Sequence, residues 1–521
     1  MRNCCFVSLI IPLILLTACT ATDKKNEQIP ILKCKDCNVI IIYPNNLRED
    51  HLGLYGYKKD TTPNINEFAK DSMVFTNAFS QSSWSLPSVA SLFTSKYPFS
   101  HGLMNRYELA QEETTLAEIL KLYNYSTVAF TGGGDYKSIY GINQGFDIFN
   151  DGDNPEIFTG SFNITTKLAL EWIEGNKDKK FFMFLQGYDA HCPYNPPEKY
   201  RTLFEHSYNG DINDSVCIRS LGFKDNNSDE YINLNAYYFD NVRINKLSDI
   251  NRTTKRTSEI NKSKTKNPLI IQYKDITPLN LTKEDVAHMI NRYDNEIRYV
   301  DDLIGNFLKK LQETGIYGNT IIIFAGDHGE SLDEHGRLGR TGVGRGYYYD
   351  GVLHIPLIIK HPYIKKAQKF DGLVGTIDIM PAILNFLDIP TPHEIQGLSL
   401  LPLINGSKPD LREFIFAGGR HGPGVYPFHY DTIIHDTIRS KKWKLIFERS
   451  LDLKINNLEL YDIENDPMEL NNLIHEEPEI AFQLKKRLFN WEKSAKSKRN
   501  LKEVKLSSEE IGAIRRAGYL G

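Results

Sequence analysis

Asn38-Val-Ile-Ile-Ile-Tyr43 is a continuous, mostly β-branched run without polar alternation, and similar runs recur at Ser126 to Phe130, Lys180 to Gln186 and Asn319 to Ala325. A strand apolar on both faces must be covered on both faces, as the central strands of a parallel sheet are. Helical periodicity fills the intervals. The clearest stretch starts at Thr282, an N-cap with Asp285 three places on, and sets Val286, Met289, Ile290, Tyr293, Ile297, Val300, Ile304, Phe307 and Leu311 on one face. Strands alternating with such helices predict an α/β fold, a mostly parallel sheet sandwiched by helices. With 521 residues, 41% of them apolar, the chain can build one large core and a smaller companion.

The large domain is expected to span 38–405. Within it, 205–275 is rich in Asn, Asp, Ser and Lys with no sustained period, and reads as an elaborated insertion. From about Gly406 the pattern changes. Thr432 to Ser440 and Trp443 to Arg449 predict antiparallel strands, and Pro478 opens a helix with Ile480, Leu484, Leu488 and Trp491 on one face. Residues 406–521 are therefore expected to form a small C-terminal α+β subdomain.

Arg2, the apolar run from Phe6 to Leu16 and the sequence Leu16-Thr-Ala-Cys19 resemble a bacterial lipoprotein signal. This predicts cleavage after residue 18, a lipid on Cys19, a polar tether over 19–37 and a place at the cell envelope, held to the membrane by that lipid. An ordinary secretory peptide or an uncleaved anchor remain the alternatives. The run is too short to span a bilayer, and no later segment reads as a transmembrane helix. Cys34, Cys37, Cys192 and Cys217 then form an even set that permits three pairings, and export makes disulfides plausible. Cys34-Lys-Asp-Cys37 reads as a local staple or as free thiols. The net charge of −4 and scattered basic residues exclude a nucleic-acid partner.

Two segments carry chemistry. In Gln81-Ser-Ser-Trp-Ser-Leu-Pro-Ser88 the proline predicts a helix N1 at Pro87, with Ser85 just before it, where backbone N–H groups stabilise an anion. Alone, Ser85 would read as a simple N-cap. Asp327-His328 follows the buried run ending at Ala325, the place where open α/β sheets bind ligands, and adjacent Asp and His can reach one divalent ion.

Further segments join these in order: Leu47-Arg-Glu-Asp-His-Leu-Gly-Leu-Tyr-Gly56, Ser85-Leu-Pro-Ser88 running on to Tyr97-Pro-Phe-Ser-His-Gly102, Asp189-Ala-His-Cys-Pro193, Asp327-His-Gly-Glu330, Ile377-Asp-Ile-Met-Pro381 and Glu459-Leu-Tyr-Asp-Ile-Glu-Asn-Asp-Pro467. From about Asn38 to Lys493 the chain resembles the sulfatase family of the alkaline phosphatase superfamily. The resemblance implies an alkaline phosphatase-like mixed sheet and hydrolysis of sulfate esters, with phosphate esters as the neighbouring class. It implies a sulfated or phosphorylated carbohydrate or lipid as substrate. It places Ser85 at the residue that the family oxidises to formylglycine, and His191 at a histidine contacting the ester or leaving group. It draws a divalent cation, commonly calcium, to Asp327, His328 and the paired positions after the first strand.

Three departures accompany the resemblance. The paired aspartates are Asn45 and Asn46 here, so two formal charges are gone and the attraction for a divalent ion falls. Val89 replaces the arginine of the formylglycine maturation segment, which favours an unmodified serine nucleophile and phosphorus over sulfur. The downstream cationic position is Arg340 or Arg345, either able to clamp a tetrahedral anion, with Arg345 the preferred candidate. A degenerate binder of an anionic glycan or lipid is the alternative function. Gly132-Gly-Gly134, His51, His101 and Asp50 are expected to serve turns and packing, and His421 is a weaker candidate for the cleft rim.

Overall fold

The apolar runs are the strands at the centre of the molecule. The computed structural model describes residues 32–104, 107–152, 160–204, 207–210, 212, 218–220, 236–238, 278–279, 281–335, 338, 348–420, 433–450 and 456–495. Cys19, Arg340, Arg345, His421 and most of the 205–275 insertion lie outside them. An eight-stranded sheet is built from β1 (Asn38–Pro44), β2 (Met73–Phe75), β3 (Ser126–Phe130), β4 (Ile148–Asn150), β5 (Phe181–Gly187), β6 (Thr320–Ala325), β7 (Leu357–Lys360) and β8 (Gln368–Phe370). Their order across the sheet is β8-β2-β7-β6-β1-β5-β3-β4. Only β7 runs antiparallel to its neighbours. The sheet is thus mixed and mostly parallel, as the interleaved strand and helix patterns predict.

Every residue of β6, β1 and β5 is buried, the double-sided burial that an unalternated apolar run requires. The helices are α1 (Ser85–Thr94), α2 (Leu116–Leu122), α3 (Phe162–Asn176), α4 (Lys283–Glu313), α5 (Ile379–Phe386) and α6 (Pro478–Ala495). Ile40 and Ile42 of β1 share a core with Tyr293, Ile297, Val300 and Ile304 of α4 and with Ala169 and Ile173 of α3. Tyr43 points the other way. It meets Phe184 at 5.6 Å, and Phe184 meets Phe93 of α1 at 4.9 Å. Helices therefore cover both faces. The N-terminus of α4 is closed by the expected capping box, Thr282 Oγ1 accepting from the Asp285 N–H at 3.2 Å and Asp285 accepting from the Thr282 N–H at 2.7 Å.

The C-terminal part is an antiparallel meander of β9 (Ile415–Arg420), β10 (Ile433–Arg439), β11 (Trp443–Ser450) and β12 (Asn456–Asp462). Ala481, Leu484 and Leu488 of α6 pack on Ile438, Leu445, Phe447 and Leu460, each buried leucine contributing roughly 1.5–3 kcal/mol. This sheet reaches the segment before α1, where the Gly418 N–H donates to the Gln81 carbonyl at 3.1 Å. Trp491 stacks on Phe416 at 4.7 Å and meets Phe99 edge-on. Cys34 and Cys37 are joined in a disulfide, the local staple, and Cys192 is disulfide-bonded too. Among the described residues no helix is long and apolar enough to cross a membrane.

Candidate functional site

Four strand ends deliver the side chains. β1 leads into Asn45 and Asn46, β6 into Asp327 and His328, β5 into Tyr188 and His191, and β3 into Gly132 to Tyr136. All four strands are parallel, so these ends lie along one edge of the sheet, where such folds bind ligands. The loops are tied to one another: the Asp327 N–H donates to the Pro44 carbonyl at 3.3 Å, and the Asn45 N–H to the Gly187 carbonyl at 3.2 Å.

Ser85 differs from expectation in its helix position. The helix starts at Ser85 itself, so Ser85 is N1 and Pro87 is N3. Proline fits there because the first N–H groups of a helix have no intrahelical acceptor to lose. Trp84 is the N-cap, extended at φ −149° and ψ 160°, and supplies no side-chain cap. Ser88, one residue further, fixes the helix to the β6 loop, its Oγ donating to the Asp327 carbonyl at 2.7 Å and lying 2.9 Å from the Tyr43 hydroxyl.

Asn45, Asn46, Ser85, Asp327 and His328 come together, all with no solvent exposure. Asn45 Nδ2 donates to Ser85 Oγ at 2.8 Å and to Asp327 Oδ2 at 2.5 Å. Asp327 Oδ1 accepts from the backbone N–H of Asn46 at 2.8 Å and of His328 at 2.7 Å. Its Oδ2 also accepts from the Tyr136 hydroxyl at 2.7 Å. Asn46 Nδ2 donates to Glu330 Oε2 at 2.6 Å. Burial and the Asp327 charge push the Tyr136 phenol well above its ordinary pKa, so Tyr136 stays a donor.

His328 Nε2 lies 3.3 Å from Ser85 Oγ and 3.2 Å from Asp327 Oδ2. Its Nδ1 is 2.8 Å from the Gly329 carbonyl, which can only accept. Nδ1 therefore carries the proton, and in the neutral ring Nε2 presents its lone pair. Gly329 is required where it is: a Cβ there would sit 2.1 Å from the Gly351 carbonyl oxygen.

The remaining candidates sort by their contacts. His191 is buried, 2.5 Å from the Cys192 carbonyl through Nδ1, and edge-on to Tyr188, which is edge-on to Tyr136. Arg48 is clamped by Asp50 at 2.9 and 2.6 Å and pairs with Glu334, the structural role expected of Asp50. His51 bonds Asp294 at 2.7 Å, and His101 lies 3.1 Å from Ser91 Oγ. The glycines form a sharp turn, Gly133 and Gly134 having φ of 77° and 62°. Sequence reasoning missed Tyr136. Its place two residues after those glycines, beyond a strand's carboxyl end, marks it as near the sheet edge but not as a partner of Asp327.

A divalent ion would draw on Asn45, Asn46, Asp327 and His328. A carboxylate offers about four lone-pair sites, and those of Asp327 meet four donors, from Asn46, His328, Asn45 and Tyr136. The Asn46 amide is turned to Glu330. Asn45 Oδ1 is buried without a hydrogen-bond partner, but one neutral oxygen is a poor seat for a dication. Among the described residues no group of three His, Cys, Asp or Glu side chains is placed to hold a metal. The residues in this arrangement do not fit the ion that the family generally uses.

Comparison with known proteins follows the same lines. The sulfatase family model matches residues 37–389, and a model of the N-sulphoglucosamine sulphohydrolase C-terminal region matches 343–494. An N-acetylglucosamine-6-O-sulfatase of Bacteroides thetaiotaomicron is 23% identical over 89% of this chain and 87% of its own. A protein solved in complex with its substrate D-glucosamine-2-N,6-O-disulfate superposes with a TM-score of 0.66 at 20% identity, covering 88% of this chain and 98% of that one. The phosphonate monoester hydrolase of Agrobacterium radiobacter superposes at 0.65 with 19% identity, over 88% and 96% of the two chains. With its family model spanning well over half its length and its fold shared with these structures, the chain belongs to the sulfatase family.

Proposed function

We propose that this sulfatase-family hydrolase cleaves sulfate or phosphate monoesters of carbohydrates, with an unmodified Ser85 as nucleophile. One observation carries the reading. Ser85 Oγ, at the first turn of α1, is held between an amide donor at 2.8 Å and the imidazole Nε2 at 3.3 Å. Because Asn45 donates to Oγ, the hydroxyl proton is directed to His328. Oγ attacks the ester sulfur or phosphorus and its proton passes to Nε2. The alkoxide leaves in line on the side opposite Oγ and takes a proton from water, giving an alcohol, a seryl ester and hydroxide. That hydroxide attacks the seryl ester from the same side, the Nε2 proton returns to the departing Oγ, and sulfate or phosphate is released with Ser85 and neutral His328 restored. Asp327, 3.2 Å from the same nitrogen, stabilises the imidazolium in between. The N-terminus of α1 favours the ester's negative oxygens.

The carbohydrate class is supported by the N-acetylglucosamine-6-O-sulfatase relative, which covers most of both chains. Serine chemistry and the shared fold of a phosphonate monoester hydrolase support phosphorus beside sulfur. In this reading His191 contacts the leaving group, Arg345 clamps the anion, and lipid on Cys19 holds the enzyme at the cell envelope. A binder without turnover is the second reading, favoured by the amides that replace carboxylates at Asn45 and Asn46.

Ser85→Ala is the test, on 4-nitrophenyl sulfate, 4-nitrophenyl phosphate and 6-sulfated N-acetylglucosamine. Turnover should fall at least about a thousandfold, as it does when nucleophiles are removed elsewhere. Equal rates in both proteins would refute the enzyme reading. Calorimetric binding of the sulfated sugar with no turnover by either protein would establish the second.

A further inference from the structure

We infer that the Asn45 side-chain amide occupies the place of a cation, making this a metal-independent site built on hydrogen bonds. The inference concerns the same site as the proposed hydrolysis and rests on that reading for Ser85's role. Nδ2 bridges Ser85 Oγ at 2.8 Å and Asp327 Oδ2 at 2.5 Å, the same two atoms that His328 Nε2 faces at 3.3 and 3.2 Å, and of these two nitrogens it is the one that holds hydrogens for both. A primary amide has two hydrogens, and both are used. One neutralises part of the Asp327 charge. The other orients the serine hydroxyl.

The orientation of the amide follows from its neighbours. Reversed, Asn45 would aim its carbonyl oxygen at the Asp327 carboxylate, a repulsive contact in a buried site unless a cation lay between them, and would accept the Ser85 hydroxyl proton that is otherwise directed to His328. The donors already on Asp327 make that cation redundant. Tyr136 and two backbone N–H groups fill its remaining sites, and the backbone pair is fixed by the strand ends. Asn46 completes the set by giving its amide to Glu330. Asn45 is accordingly a positioning residue for Ser85, acting through the hydrogen bond to Oγ.

An aspartate at 45 would invert this logic. Its carboxylate would face Asp327 across hydrogen-bond distance in a buried site, where two anions repel strongly, and a divalent ion would become the natural bridge. Calcium dependence is thus expected of Asn45→Asp and not of the native chain.

The test is calorimetric titration of the full chain with calcium chloride, repeated with magnesium, and thermal melts in calcium and in EDTA. The native protein should show no saturable calcium binding up to about 1 mM and one melting temperature in both buffers. Asn45→Asp should bind calcium at least about tenfold more tightly and melt higher in calcium than in EDTA. Micromolar calcium binding by the native chain, or a lower melting temperature in EDTA, would overturn the inference. So would a folded Asn45→Asp that gains no calcium dependence, and if that variant fails to fold, the native titration alone decides. Calcium binding with Ser85-dependent turnover would sink this inference and leave the hydrolase reading standing; no calcium binding and no turnover would do the reverse.

Discussion

His101 offers a quantitative check on the packing beneath the nucleophile. It has no solvent exposure, and burial with the nearby Lys96 charge pulls its pKa from 6.5 down to about 3. Its Nδ1 accepts the Leu103 N–H at 3.1 Å, while Nε2 faces Ser91 Oγ on α1 at 3.1 Å. Protonating Nδ1 would set two N–H groups against each other. The folded state therefore binds this proton less readily than the unfolded chain. Stability is full above the unfolded pKa and is lost as pH falls from 6.5 toward 3. At pH 5 the unfolded histidine lies about 1.5 pH units below its pKa while the folded one is still neutral, so the loss is about 2 kcal/mol. Denaturant unfolding of the native chain and of His101→Asn at pH 7 and pH 5 isolates this term, because other titrating groups cancel in the double difference. Asparagine keeps an acceptor for Leu103. The variant should be less stable at pH 7 and flatter with pH by about 2 kcal/mol. Identical pH dependence in the two proteins would refute the argument.

Two further substitutions address the site's framework. Tyr136→Phe removes the hydroxyl that donates to Asp327 Oδ2 at 2.7 Å, and a lost hydrogen bond to a charged group should cost roughly 1.5–3 kcal/mol; a change in unfolding free energy below about 0.5 kcal/mol would show that Asp327 does not depend on it. Gly134→Ala places a Cβ 2.3 Å from the Tyr188 hydroxyl at a residue with φ of 62°. Left-handed strain and overpacking together should destabilise by about 2–5 kcal/mol, read as a lower melting temperature, and an unchanged melt would mean that Tyr188 moves without cost.

The fold was legible where one periodicity dominated. Ile40, Ile42 and, on α4, Met289, Tyr293, Ile297, Val300, Ile304, Phe307 and Leu311 are buried as their spacing demands, with Ile290 half-buried at the margin, since a strand apolar on both faces and a long amphipathic helix each have few alternatives. The start of α1 was not legible. Pro87 marks a first turn but is compatible with N1, N2 or N3, and only tertiary contacts, with Ser88 bound to the Asp327 carbonyl, set the register. The meeting of Ser85 with Asp327-His328 followed from motif order. Tyr136 did not, because nothing in Gly132-Gly-Gly-Asp-Tyr136 says that the turn folds its aromatic ring back over the sheet edge to reach Asp327.

The substitutions at 45 and 46 look like losses when only formal charge is counted, but the geometry gives them a shared role. A buried carboxylate costs several kcal/mol unless charge or hydrogen bonds compensate it. Two stand at this edge, Asp327 with no exposure and Glu330 with 1%. Asn45 donates to the first and Asn46 to the second, donors that two aspartates could not supply. Aspartates at both positions would crowd four carboxylates into one buried cluster, which bound cations or shared protons would have to hold together. Asparagine at one position alone would leave either Asp327 or Glu330 facing a like charge. The two amides therefore function as a pair, and Ser85 is oriented by a donor that stays in place whatever the divalent ion concentration.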